Sequence, residues 1–394
     1  MPRRARTLAA AAVAASLTAA GCSSSPSAPA AARPAAPRTA APQPTAVPTP
    51  ADPPSLDAFV PEAERFVEEH RGLHFKSAVR VLLLDDAAFR HRSGGGGIDP
   101  ALAAEIDALQ LVPRSVDLAA AARRSQAEGL VGLYEPPSRT LLVRGTAATP
   151  FVRQVLVHEL THALQDQWFG IDRPQLGRGA DERAQVFSAL VEGDAVRIED
   201  EYLASLPASQ RVRARLEQDA ATGVRGETPA PLAAIVRFPY IAGATFVRAL
   251  AAVRGQAGVD AAFRSPPATS AEILEPQRFL GGTAAAVHVA TPAAAGPVID
   301  RGVLGELGLR LLLEHAAATG AIRAADAEAA AAAWHGDAYV AWTSGAMACM
   351  RLALAAAPGP DHLLLQRPLA AYTARTTGVS LAEAADTLTV TSCG

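Results

Sequence analysis

The sequence predicts an α+β domain, rich in helix through its middle, with a small β-sheet just ahead of its most distinctive helix. Three observations predict it. Two strand-like runs, 130–134 and 140–144, flank Glu135-Pro136-Pro137-Ser138-Arg139 and read as a hairpin. Two long helical stretches follow, from Thr149-Pro150 to about Trp168 and from about Asp181 to Leu203. Strand-like runs return near the C-terminus, at 338–342, 347–354 and 387–392. With 394 residues the chain can bury a real core, although much of its 49% hydrophobic content is alanine.

Residues 1–21 read as an export signal. Arg3, Arg4 and Arg6 form a positive leader, 8–20 is uncharged and apolar, and small residues lead to Gly21-Cys22. The apolar stretch, about 13 residues, is shorter than the roughly 20 a membrane-spanning helix needs. Leu17-Thr18-Ala19-Ala20-Gly21-Cys22 resembles a lipobox, although Ala19 stands where Leu is usual. The resemblance implies cleavage before Cys22, acylation there, and residence in the cell envelope on the outer face of a bacterial membrane. Two or three acyl chains would hold firmly where one alone is marginal. Residues 22–54, dominated by Ser, Pro, Ala and Thr, cannot build a core and read as an extended tether. That leaves 55–394 as the folded part. Of the three cysteines, Cys349 and Cys393 remain as a pair for an oxidising compartment, and a disulfide pinning the C-terminus is expected.

Along the folded part, 61–69 reads as a helix and 78–84 as a buried strand. The run 93–97 is a Gly loop without the Lys-Ser/Thr of a phosphate loop. Asp99-Pro100 opens helical material to about Glu128, broken at Pro113. Thr149 can cap the next helix and Pro150 suits its first turn. Further helices are expected near 231–253, 256–264, 303–316, 322–334 and 363–375. Five basic residues but only Asp52 among the acids precede residue 55, so the folded part is mildly acidic. A nucleic-acid partner would need a basic surplus and is not expected. Arg123-Arg124 and Arg211, Arg213 and Arg215 read as solvated helix faces.

The chemistry centres on His158-Glu159-Leu160-Thr161-His162. On a helix, positions i and i+4 fall on one face, so both imidazoles can point to a common metal ion. Glu159 sits beside the first ligand, where it can take a proton from a water whose pKa zinc has lowered. Given only nine histidines, such a motif arises by chance in about one sequence in a hundred. Catalytic zinc takes three protein ligands. Glu192, in Val191-Glu192-Gly193-Asp194-Ala195, and Glu182, twenty positions after His162, are the candidates for the third. They face about 80° apart on one helix, so only one can look at the metal. Asp181, Gln185 and Ser188 are spaced to share the Glu192 face. Asp166, one turn beyond His162, is placed to orient an imidazole. Asp194 points away from Glu192 and reads as structural. His70, His74, His91, His288, His315 and His362 show no metal spacing.

Glu192-Gly193-Asp194-Ala195 resembles the ligand helix of gluzincin aminopeptidases, and Tyr240-Ile241-Ala242-Gly243-Ala244 resembles their Tyr-x-x-Gly-Ala helix. A closer likeness is to a group of bacterial lipoproteins with peptidase-like domains. It rests on Gly132-Leu133-Tyr134-Glu135-Pro136, Ala163-Leu164-Gln165-Asp166-Gln167, Glu192 to Ala195, Phe238-Pro239-Tyr240 with Gly243, and Trp334-His335-Gly336-Asp337. It covers roughly 130–340. Glu275-Pro276 stands where that group has His-Pro. The resemblance implies a zincin-like fold, with His158, His162 and Glu192 as zinc ligands and Glu159 as general base. It also implies that Tyr240 is a donor to the oxyanion, and that 140–144 pairs with an extended peptide substrate. Peptide-bond hydrolysis by a lipid-anchored zinc metallopeptidase is the expected function, acting on a peptide or protein. The competing expectation is an envelope lipoprotein that binds zinc or peptides without catalysis.

Overall fold

The computed structural model describes residues 55–93, 97–127, 130–176, 182–222, 228–282, 286–355, 360–384 and 387–394. The expected export signal, Cys22, the tether, most of the Gly loop and Asp181 lie outside them. Helix α1 (Leu56–Arg71) starts five residues before its expected position and carries Pro61 inside it. Leu56 and Phe59 are buried at 0% and 2% exposure, which anchors the extra turn despite the missing Pro61 N–H.

Strand β1 (Arg80–Leu84), the short α2 (Asp86–Ser93), α3 (Pro100–Ala108) and α4 (Leu118–Ala127) come next, then β2 (Gly132–Glu135) and β3 (Thr140–Arg144). The three strands form a sheet in the order β1-β3-β2. Strand β3 pairs in parallel with β1, from Arg80 opposite Thr140 to Leu84 opposite Arg144. It pairs antiparallel with β2, from Gly132 opposite Val143 to Glu135 opposite Thr140. Two expectations change here. Strand β1 is a partly exposed edge and not a buried strand. Strand β3 has both flanks occupied, so its main chain has no free side for a peptide.

Helix α5 (Pro150–Phe169) follows with the predicted cap: the Thr149 side chain accepts from the Val152 N–H, Pro150 opens the first turn, and Gly170 ends it at φ 65°. From Gln154 to Gln165 every residue of α5 is buried, so it runs through the interior. Around it pack α6 (Glu182–Ser205), α7 (Ala208–Thr222) and α8 (Ala230–Arg264), the last broken at Gly255 (φ 63°, ψ −169°) where a helix end was expected. By length and composition α8 alone among the described residues could cross a membrane. One side of it packs inward, where Phe246, Val247 and Leu250 are fully enclosed, while Ile241 and Val253 are exposed. Helices α6 and α8 meet where neither has a side chain. A Cβ on Gly193 would lie 2.2 Å from the Gly243 carbonyl carbon, and one on Gly243 2.0 Å from the Ala189 oxygen.

The remainder comprises α9 (Ser270–Leu274), α10 (Pro276–Gly281), β4 (Val298–Gly302), α11 (Gly305–Ala318), α12 (Ala324–Ala332), β5 (Asp337–Ser344), β6 (Met347–Ala355), α13 (Pro360–Arg375), β7 (Val379–Ala384) and β8 (Thr387–Cys393). The strands make a five-stranded antiparallel sheet, β4-β5-β6-β8-β7. Its inner face packs Tyr339, Leu352, Leu354 and Val390 against Ile106, Leu309, Leu312 and Leu369. Cys349 stands opposite Cys393 across β6 and β8, and the two are joined as a disulfide. The chain is thus α+β, with the second sheet larger than the one ahead of α5.

Candidate metal centre

Helix α5 presents His158 and His162 one turn apart, and α6 brings Glu192 to them. The two Nε2 atoms are 3.1 Å apart, and Glu192 Oε2 lies 3.2 Å from one and 3.3 Å from the other. Among the described residues this buried trio is the one group of His, Cys, Asp or Glu side chains whose donor atoms converge closely enough to hold a metal ion. Glu182 does not compete. Ten residues along α6 put it about 15 Å away, and its Oε1 accepts from the Ser270 N–H at 2.7 Å and hydroxyl at 2.6 Å. It fastens the start of α9.

Each imidazole is held from behind. His158 Nδ1 is 2.8 Å from Glu199 Oε2, while the other Glu199 oxygen accepts from Gln154 Nε2. His162 Nδ1 is 3.0 Å from Gln165 Oε1. Both partners are acceptors, so each ring keeps a proton on Nδ1 and turns Nε2 toward the other donor atoms, the nitrogen that can ligate once it has lost its own proton. Neither Glu199 nor Gln165 was foreseen in these roles. Asp166, expected to orient an imidazole, accepts instead from the Tyr134 hydroxyl at 2.9 Å and the Ile171 N–H at 3.1 Å. Glu199 was detectable: seven residues beyond Glu192, it shares that residue's helix face.

The sheet positions Glu159. Its Oε2 accepts from the Tyr134 N–H of β2 at 2.7 Å, while its Oε1 is buried without a partner. The approach depends on Gly132, where a Cβ would lie 2.7 Å from Val155 and 3.0 Å from the Glu159 side chain. Tyr240 comes in from α8. Its ring lies 6.3 Å from that of His158, at 26° to it, and its hydroxyl hydrogen-bonds to Glu192. The Gly193–Gly243 crossing makes this reach possible, since Glu192 precedes the one glycine and Tyr240 lies one turn before the other.

The electrostatics follow from burial. Burial alone would raise the Glu192 carboxyl, but His162 and the hydrogen bonds to both imidazoles pull it down to about 2. Burial would lower His158, yet Glu192 and Glu199 hold it well above its ordinary value, and Glu192 raises His162 in the same way. For Glu159, burial prevails over both imidazoles and the Tyr134 N–H, and the carboxyl is raised. Burial, then the negative charge of Glu192 and Glu159, drives the Tyr240 phenol far up, so it remains a donor. The donor set fits a metal ion. A dication on two neutral imidazoles would bring the same positive charge as two protonated rings, so metal and protons can exchange without altering the balance around Glu159, Glu192 and Glu199.

Fold and site together define an α+β protein with a buried group of two imidazoles and one carboxylate. Comparison with protein-family models, curated proteins and solved structures finds no match for the chain.

Proposed function

We propose that this chain is a zinc metallopeptidase of zincin-like fold, exported and held by lipid on the outer face of a bacterial membrane. The observation that carries the reading is the convergence of His158, His162 and Glu192 beside a carboxylate with one spare buried oxygen, Glu159 Oε1. Two imidazoles, one carboxylate and room for a solvent ligand form a donor set typical of catalytic zinc. Zinc, when bound, supplies a Lewis acid that polarises a carbonyl and lowers the pKa of water.

The protein's own groups do the rest. Glu159 Oε1, free while Oε2 is tied to the Tyr134 N–H, takes a proton from the attacking water and returns it to the departing amine. Its raised pKa suits both halves of that exchange. The Tyr240 phenol, held protonated, donates to the carbonyl oxygen as charge builds there. Glu199 and Gln165 keep the two rings in one tautomer throughout. With β3 enclosed, an extended peptide would use an edge strand, and of the two, β1 and β2, it is β2 whose Tyr134 N–H faces Glu159.

The test is Glu159→Gln in the full chain, with metal analysis and digestion of a broad peptide library read by mass spectrometry. Both proteins should hold one zinc, and only the wild type should cleave. Wild-type protein without zinc, or a variant that cleaves as fast, would refute the proposal. Zinc without cleavage by the wild type would mark a binding protein instead.

A further inference from the structure

Arg71, the last residue of α1, has no solvent exposure, and its guanidinium lies 5.6 and 5.7 Å from the ring centres of Phe169 and Phe263, which stack on each other. Its Nε donates to Asp194 Oδ2 at 2.7 Å and its Nη1 to Asp260 Oδ1 at 2.6 Å. Asp194 Oδ2 also accepts from Gln165 Nε2 at 3.0 Å, and that same Nε2 donates to the Val191 carbonyl at 3.1 Å. Gln165 Oε1 then faces His162 Nδ1. The path from Arg71 to the metal-facing imidazole is continuous and buried.

Its polarity runs one way. A guanidinium can only donate and an ionised carboxylate can only accept. Asp194, facing Arg71 and Arg197, must therefore turn an acceptor toward Gln165. A glutamine amide is nearly symmetric in shape but not in hydrogen bonding. Flipping Gln165 would set its oxygen against Asp194 and the Val191 carbonyl, two acceptors. The amide is thus held with its oxygen toward His162, which keeps a proton on Nδ1 and leaves Nε2 as the nitrogen for a metal. His158 needs no such reference, because Glu199 is an acceptor from either oxygen.

We propose that Arg71, acting through Asp194 and Gln165, fixes the orientation and tautomer of His162 and is a positioning residue for the metal centre. The proposal rests on the reading of His158, His162 and Glu192 as metal ligands. It gives a buried cation on α1 a role in the site that packing alone does not require.

The experiment is cobalt(II) binding to the full-length wild type and to Asp194→Asn, Arg71→Met and Arg71→Lys. Affinity is taken from competition with a chromogenic chelator and geometry from the visible absorption bands. Asp194→Asn keeps the shape but lets the Gln165 amide turn over. It should bind cobalt about 10- to 100-fold more weakly with altered bands. Arg71→Met should behave alike, and Arg71→Lys, which restores a donor, should recover part of the loss. Unfolding of each protein before metal addition separates loss of fold from loss of affinity. Wild-type affinity and bands in a folded Asp194→Asn or Arg71→Met protein would overturn the relay alone. A wild type that binds no cobalt would overturn the metal reading and the relay with it.

Discussion

Replacing Gly243 with alanine tests how closely the site depends on the α6–α8 crossing. The new carbon would lie 2.0 Å from the Ala189 oxygen and 2.8 Å from its carbonyl carbon. Non-bonded carbon contacts sit near 3.5 Å, so the helices must part by about 1 Å or more. Two effects oppose. Alanine is the better helix former, by about 1 kcal/mol. Overpacking a filled contact costs about 1–3 kcal/mol and at this overlap belongs at the upper end. The net expectation is a loss of about 2 kcal/mol, read as a lower midpoint in chemical unfolding. Function should suffer more than stability, because Glu192 and Tyr240 sit beside the two glycines. A shift of about 1 Å at reacting groups costs about 100-fold in rate, so peptide cleavage should fall by that order while the protein stays folded. A Gly243→Ala protein as stable as the wild type, with unchanged metal affinity and cleavage, would refute the reasoning.

Four further outcomes are expected. Glu192→Gln should weaken zinc binding sharply in a metal titration. Glu182→Gln should leave it unchanged and cost about 1–3 kcal/mol in unfolding, because it disturbs a buried cap on Ser270. Tyr240→Phe should keep its zinc and lower kcat about 100- to 1,000-fold with little change in KM. Removing the Cys349–Cys393 bridge, which closes a separation of 44 residues, should cost about 2–4 kcal/mol. Unfolding of the wild type that does not respond to reductant would contradict this last expectation.

What the sequence disclosed was local. Helix α5 could be read from end to end because Thr149, Pro150 and Gly170 mark its limits within a few residues. The hairpin of β2 and β3 and the break at Gly255 were legible for the same reason. The central place of β3 was not, because it depends on β1, about sixty residues upstream. Strands β4 and β7 escaped notice as edge strands with no fully buried residue. Among the described side chains of helix α7 only Ala214 and Gln218 turn fully inward, too little to make an apolar stripe. Short α9 did announce itself, through the capping box of Thr269 and Glu272, a readable sign that went unused. In the site, the paired histidines and Glu159 follow from spacing alone. Choosing Glu192 over Glu182 required the resemblance, since rotation about the helix axis permits either.

The partners of Arg71 carry a consequence for how the chain matures. Asp194 lies 123 residues beyond it and Asp260 189 beyond it, so the first helix of the described residues ends in a cation whose counter-charges are made much later. Enclosing a guanidinium without them costs several kcal/mol, and at ribosomal speeds the wait is on the order of ten seconds or more. Helix α1 therefore stays loosely held until Asp260 has been made, an order of events that would suit the export proposed above.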